Sequence, residues 1–296
     1  MGNGSKIVIS VIVPFYNTEK YIGDCISALL LQSYPPEKFE IIMIDNNSTD
    51  LSAEIVKRYP SIRLLSEKKQ GAYAARNRGI RQARGQIIAF TDSDCAVAPD
   101  WLQNIAKAMN HPRPGIIVGR NQFGNATPTM TMLAEHDHAI KSYVFGSKEK
   151  EIYYGDAGNM AVHTTVFAEV GLFQERERGS DTVFVRQAAD RYSSEVVHYA
   201  AEVQVKFLDI QSLLVFFKKC FIYGKSRFHH NPFAYVRPLT LREKLSIFVA
   251  VLQNKRYSWL EALFFFTVIV LAFFSWSTGS IVAAFEQRQC NSWVHP

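Results

Sequence analysis

The stretch Arg84-Gly85-Gln86-Ile87-Ile88-Ala89-Phe90-Thr91-Asp92-Ser93-Asp94 decides the fold. From Gln86 to Thr91 it is a short apolar run rich in Ile and Phe, which reads as a buried strand. Two carboxylates one residue apart then stand at the strand's carboxyl end. Open α/β sheets bind their ligands at that edge, and carboxylate oxygens suit hard cations. Alone, Asp-x-Asp is an ordinary turn or helix cap. Its surroundings give it meaning.

Working back toward the amino terminus, apolar runs alternate with helical patterns. Ile7 to Val13 reads as a first strand ended by Pro14. Thr18 can cap a helix in which Tyr21, Ile22, Cys25, Ile26, Leu29 and Leu30 share a face, until Pro35-Pro36 breaks it. Phe39 to Ile44 is a second strand, Asp45 to Asp50 a polar turn, and Ala53 to Tyr59 a helix. A third strand, Ile62 to Leu65, and a helix, Ala72 to Arg84, lead to the acidic triplet. This alternation predicts an α/β chain with a mostly parallel, Rossmann-like sheet flanked by helices and joined by right-handed crossovers. The loops Pro14 to Asn17, Asp45 to Asp50 and Asp92 to Asp94 then collect on one edge. No Gly-x-Gly-x-x-Gly or Walker A loop is present, which removes the usual dinucleotide and P-loop readings.

At 296 residues, 48% apolar and 20% charged, the composition is globular. The net charge of +6 suits an anionic partner, yet no basic run is long enough to form a nucleic-acid arm. Cys25, Cys95, Cys220 and Cys290 lie far apart, which fits a reducing compartment and argues against a zinc site. The amino terminus runs into the first strand without the apolar segment of a signal peptide. Further on, Gln174 to Asp181 is a polar loop, and helices are expected at Thr164 to Val170 and Val183 to Tyr192.

The carboxyl-terminal region differs in kind. Leu260 to Phe285 carries one charge, Glu261, and exceeds the roughly 20 apolar residues that span a bilayer. Lys255 and Arg256 before it outweigh Arg288 after it, which by the positive-inside rule keeps the large domain in the cytoplasm. The chain thus divides into a catalytic-type domain (1–210), amphipathic membrane-proximal helices (211–259), a transmembrane helix (260–285) and a tail (286–296). The expected location is the inner or plasma membrane, with a single pass.

An ordered series of motifs carries a resemblance. It comprises Ser10-Val-Ile-Val-Pro-Phe-Tyr-Asn17, Ile44-Asp45-Asn-Asn-Ser-Thr-Asp50, Gly71-Ala-Tyr-Ala-Ala-Arg76-Asn77 and Ala89-Phe-Thr-Asp92-Ser-Asp94. Gly158-Asn159-Met160, Val170-Gly171-Leu-Phe173 and Gly179-Ser180-Asp181 with Arg186 close it. In this order the chain resembles the family 2 glycosyltransferases, over roughly residues 8 to 225. The resemblance implies the GT-A fold and an inverting transfer from a nucleotide-diphospho-sugar to a hydroxyl of a lipid-linked or membrane-proximal glycan. It assigns nucleotide-sugar binding to Pro14, Tyr16, Asn17, Asp45, Arg76, Asp92 and Ser93. Asp45 suits a ring N–H donor of the base, and Arg76 would hold the diphosphate or pin an acidic side chain. Asp94, with Asp92, would bind Mg2+ or Mn2+. Asp181 would be the general base that takes the acceptor's proton.

There are departures from the family pattern. Ser180 stands where an acidic residue often precedes the base. The stretch Glu202-Val-Gln-Val-Lys206-Phe207 lacks the metal-binding His of many relatives, which makes Lys206 a candidate to act on the phosphate. The Gln-x-x-Arg-Trp of processive synthases is absent around Gln187 to Tyr192, which favours single addition. A rival reading is a non-catalytic nucleotide-sugar-binding subunit. His136 and His138 read as surface residues and His229-His230 as a loop. The apolar faces at Leu213 to Phe217 and Ile247 to Leu252 suit a membrane surface.

Overall fold

A computed structural model of the chain describes residues 7–110, 115–176, 178–230 and 237–292. Strand and helix alternate through β1 (Ile9–Phe15), α1 (Ile22–Leu30), β2 (Phe39–Asp45), α2 (Ser52–Lys57), β3 (Ile62–Ser66), α3 (Ala72–Gln82) and β4 (Ile87–Thr91). There follow β5 (Cys95–Val97), α4 (Trp101–Ala108), β6 (Ile116–Phe123), α5 (Pro128–Gly146) and β7 (Asn159–His163). Next come α6 (Thr164–Val170), α7 (Ser180–Tyr192) and β8 (Val197–Phe207). Three further helices complete the order: α8 (Leu213–His230), α9 (Leu241–Lys255) and α10 (Trp259–Ser292).

The strands form one sheet in the order β3-β2-β1-β4-β7-β6-β8-β5. As the alternation predicts, β3, β2, β1 and β4 are parallel neighbours. Beyond β4 the sheet becomes mixed, and four of its seven strand pairings are parallel. There β7 runs antiparallel to β4 and β6, and β5 antiparallel to β8, while β6 and β8 pair in parallel. The acidic turn leads from β4 into β5, which pairs antiparallel with β8 at the far edge.

Pro14 does not end the first strand. Pairing of β1 with β4 stops at Ile12, whereas pairing with β2 runs on to Phe15. Past Ile12 the strand has one ladder neighbour, where a missing N–H is tolerated.

Strand residues alternate between two apolar layers, as a sheet covered on both faces requires. Val11, Val13, Met43 and Ala89 meet α1 and α4 through Ile26, Leu29, Trp101 and Ile105. Ile12, Ile42, Ile88 and Phe90 meet α3, α6 and α7 through Tyr73, Phe167 and Phe184. Phe167 and Phe184 stack at 4.7 Å and both contact Phe173, which fixes the start of α7 against the sheet.

The apolar carboxyl-terminal segment is one helix, and its stretch Trp259–Glu286 has the length and composition to cross a membrane. His229 and His230 belong to α8 rather than to a loop. The neighbouring Asn231-Pro232 and the end of the tail lie outside the described residues.

Candidate active site

The carboxyl ends of β1, β2 and β4 bring the three predicted loops together, and side chains lock the first two. Asn17, in the left-handed region at φ 50°, accepts from Thr49 N–H at 2.8 Å and donates its own N–H to Ser48 Oγ at 3.2 Å. Asp45 Oδ1 accepts from Ser48 N–H at 3.0 Å. Asp50 accepts from the N–H groups of Ser52 and Glu19, a capping role. Tyr16 projects from this edge, 49% exposed. Pro14 is buried within β1, so it supports the loop from below rather than offering a contact face.

Below these loops a chain of contacts joins the acidic triplet to the predicted base. Arg76 is buried, and its Nη2 donates to Oδ1 of Asp92. Of the two roles the sequence leaves open for Arg76, pinning an acidic side chain is the one seen. Its guanidinium lies 5.1 Å from the ring centroid of Tyr73, and the Tyr73 hydroxyl donates to Asp181 Oδ1 at 2.8 Å. Burial, and then the Asp181 charge, push the Tyr73 phenol well above its usual pKa, so it stays a donor.

Asp181 sits in the first turn of α7. Its Oδ2 accepts from Ala157 N–H at 3.0 Å and its Oδ1 from Thr182 N–H at 2.9 Å. Gly155 lets that segment approach, because a Cβ there would collide with the backbone of Asp181. Ser180 is buried with an unpartnered Oγ, so the acidic residue usual at this place would be a desolvated charge here.

On the other side of the triplet, Ser93 is buried and Asp94 faces a cation from an element the motifs did not reach. Lys219 of α8 lies 2.6 Å from Asp209 and 3.9 Å from Asp94, over the ring of Phe207. Phe207 itself abuts Gly158 beside Asp92. Lys206, one residue earlier on β8, therefore points to the opposite sheet face. The cation next to Asp94 is Lys219. Asp156 completes the cluster, with Oδ2 held by the buried Lys141 at 2.6 Å and by Asn121 at 2.8 Å. Burial, and then the charge of Asp92, push the Asp94 carboxyl up to about 6.

Tyr73, Asp156, Asp209 and Lys219 were not singled out from sequence. Tyr73 lies inside the quoted motif Gly71 to Asn77, and Asp156 lies two residues before Gly158 and next to Gly155, which marks a close backbone approach. Nothing in the sequence ties Lys219 to Asp94, 125 residues earlier. His136 and His138 do not join the site. His136 packs edge-on against Phe265 and His138 Nδ1 lies 2.7 Å from the Tyr199 hydroxyl.

Among the described residues, no three His, Cys, Asp or Glu side chains converge as a closed metal site. The donor set nevertheless fits a hard divalent ion. Asp94 is a carboxylate whose ion-pair partner stays 3.9 Å away. Mg2+ commonly takes one or two carboxylates and completes its shell with substrate phosphates and water.

The family model for Glycosyl transferase family 2 matches residues 10–171. The chain belongs to this family. Glycosyltransferase AglE of Haloferax volcanii is 29% identical over 197 residues, 64% of either chain. Glycosyltransferase GlyG of Streptococcus pneumoniae is 36% identical over 117 residues, 38% of either chain. The chain thus spans less than two thirds of the length of these curated relatives.

Among solved structures, S. aureus TarS 1-349 in complex with UDP-GlcNAc superposes with a TM-score of 0.56 at 18% identity, covering 83% of this chain and 72% of that one. Mannosyltransferase PcManGT from Pyrobaculum calidifontis, in complex with GDP-Man and Mn2+, gives 0.57 at 19% identity, covering 95% and 85%. At such identities the likeness is one of fold. This family 2 member therefore has the GT-A architecture, with a mixed sheet flanked by helices.

Proposed function

We propose that this protein is an inverting glycosyltransferase that moves a sugar from a nucleotide-diphospho-sugar to a hydroxyl of a lipid-linked or membrane-proximal glycan. The observation that carries the reading is Asp181, held by Tyr73 and Ala157 and joined through Arg76 to Asp92. One carboxylate is thereby kept in a fixed orientation as a proton acceptor, at the edge where the donor's diphosphate would lie.

Tyr16, Asn17 and Asp45 receive the base, and Asp92 and Ser93 the ribose and phosphate side. Asp181 removes the acceptor's proton as its oxygen attacks the anomeric carbon, and a single displacement inverts that centre. Asp94 and Asp92 would hold Mg2+ or Mn2+, which offsets the charge on the leaving diphosphate. The nucleotide-sugars bound by the TarS and PcManGT structures, and the Mn2+ in the latter, support this reading. The apolar α10 attaches the protein to a membrane, with the catalytic domain on the cytoplasmic side.

The test is transfer or hydrolysis across a panel of nucleotide sugars with Mn2+, using Asp181→Asn as the control. Loss of a general base should lower kcat by about 10³-fold, with donor affinity retained. Equal behaviour of the two proteins would instead favour a subunit that binds nucleotide-sugar without turning it over.

A further inference from the structure

The long helix α10 does not stand clear of the domain. A stripe along it is buried, from Phe265 and Val268 to Gly279, Ser280 and Ala283. That stripe is about 27 Å long at the helical rise. Phe265 stacks on Phe248 of α9 at 5.2 Å. Ser275 Oγ donates to the carbonyl of Phe217 at 2.7 Å and Ser280 Oγ to that of Gly224 at 3.0 Å, both in α8. Gly224 and Gly279 let the two backbones touch, since a Cβ on either would collide with a carbonyl of the other helix. The opposite face is apolar and uncovered, and includes Leu263, Phe266, Leu271, Phe274, Ile281 and Phe285.

With these contacts kept, α10 cannot cross a bilayer alone, because α8 and α9 would cross beside it. Lys244 of α9 lies 5.5 Å from the Phe273 ring, at mid-length of the apolar stretch. The exposed Lys218 follows Phe217, which is bonded to Ser275. Both ammonium groups would sit at the depth of the hydrocarbon centre, where charges are strongly disfavoured. An in-plane helix removes the conflict, because flanking lysines reach the headgroups.

The charge distribution names the kind of surface. Residues 211–292 hold ten of the 33 Lys and Arg and three of the 27 Asp and Glu, leaving 23 basic against 24 acidic elsewhere. The positive excess thus lies in the region that carries the apolar face: eight of its ten cations are on α8, α9 and α10, and of these Lys219 faces Asp94.

We propose that α10 lies in the plane of a membrane rather than spanning it. Its outer face is seated at the headgroup–acyl boundary of a bilayer rich in anionic lipids, with basic residues of α8 and α9 at the headgroups. This deepens the membrane attachment in the proposed function and rests on that part alone.

The full chain is floated with vesicles of phosphatidylcholine, with or without phosphatidylglycerol. Binding is expected to the anionic vesicles, to weaken with salt, and to be lost in Phe266→Glu/Phe274→Glu with its helical circular dichroism intact. Sidedness is read with Glu261→Cys and Glu286→Cys, each in a Cys220→Ser/Cys290→Ser background, using an impermeant maleimide outside bound vesicles. Comparable labelling of both ends supports the in-plane helix, whereas an end labelled only after detergent overturns it. Failure to bind either vesicle, equal binding to both, or retained binding by the double glutamate variant also overturns it. Sugar transfer is not read, so the docking proposal and the proposed chemistry can fail separately.

Discussion

The phenol of Tyr73 donates a 2.8 Å hydrogen bond to Oδ1 of Asp181, so a residue of α3 orients the base on α7. Tyr73→Phe keeps the ring against Phe173 and removes that bond. We expect kcat to fall about tenfold, one hydrogen bond to a charged group, with the donor's KM unchanged. Steady-state kinetics check this, and a change confined to KM would place Tyr73 in donor binding instead.

Asp94 gives a prediction of opposite sign for stability. Burial raises its folded pKa from 3.8 to about 6, with the Asp92 charge adding to the shift. Stability from the neutral carboxyl is therefore present at low pH and lost as pH rises through about 6. At pH 7.5 and without metal, Asp94→Asn should be more stable than wild type by about 1–3 kcal/mol, and the gap should close toward pH 4. Added Mn2+ should raise the melting temperature of wild type and leave the variant unmoved. Thermal denaturation in chelator and in Mn2+ measures both.

Lys219 should act on phosphate rather than on the base. For Lys219→Met, calorimetry should show nucleoside diphosphate binding weakened about tenfold, with nucleoside binding unaltered. Lys219→Arg should recover part of the loss. Equal losses for both ligands would point to a distorted site.

Glu40 tests the scaffold away from the site. It is buried and accepts from Ser10 Oγ at 2.7 Å, Arg63 at 2.6 Å and Arg84 at 2.9 Å. Burial alone would raise its pKa, but the bonds from Arg84, Ser10 and Arg63 outweigh it and hold the carboxyl below its usual value. The stability it gives is present above the unfolded pKa and lost as pH falls through the folded one. Glu40→Gln should cost about 3 kcal/mol in urea denaturation at pH 7, and progressively less below pH 4.

Much of this site is written locally. The strand at Ile87 to Phe90, the turn at Asp45 and the acidic triplet each announce themselves through a few adjacent residues, and the parallel half of the sheet follows from their spacing. The antiparallel half is less legible. Its strands β5, β7 and β8 pair across long separations, β5 and β7 are too short to show a period, and the alternation of Ala201 to Phe207 in β8 marks a strand without naming its partners. Lys141 shows the limit well. Nothing in its neighbouring residues marks it, yet it is buried and compensated by Asp156 and Asp137. Lys219 was hidden for the same reason, since its partners are fixed by tertiary packing alone.

The position of α8 bears on how the chain can be cut. A boundary after residue 210 looks natural in the sequence, since the last strand has ended. It would sever Lys219 from Asp209 and Tyr223 from Arg178, two contacts across that line. It would also strip the cation nearest Asp94. A fragment ending there would keep its sheet and its three aspartates, yet it would present an acidic pocket with one wall missing. A fragment that keeps this wall extends through the helix that α10 rests on.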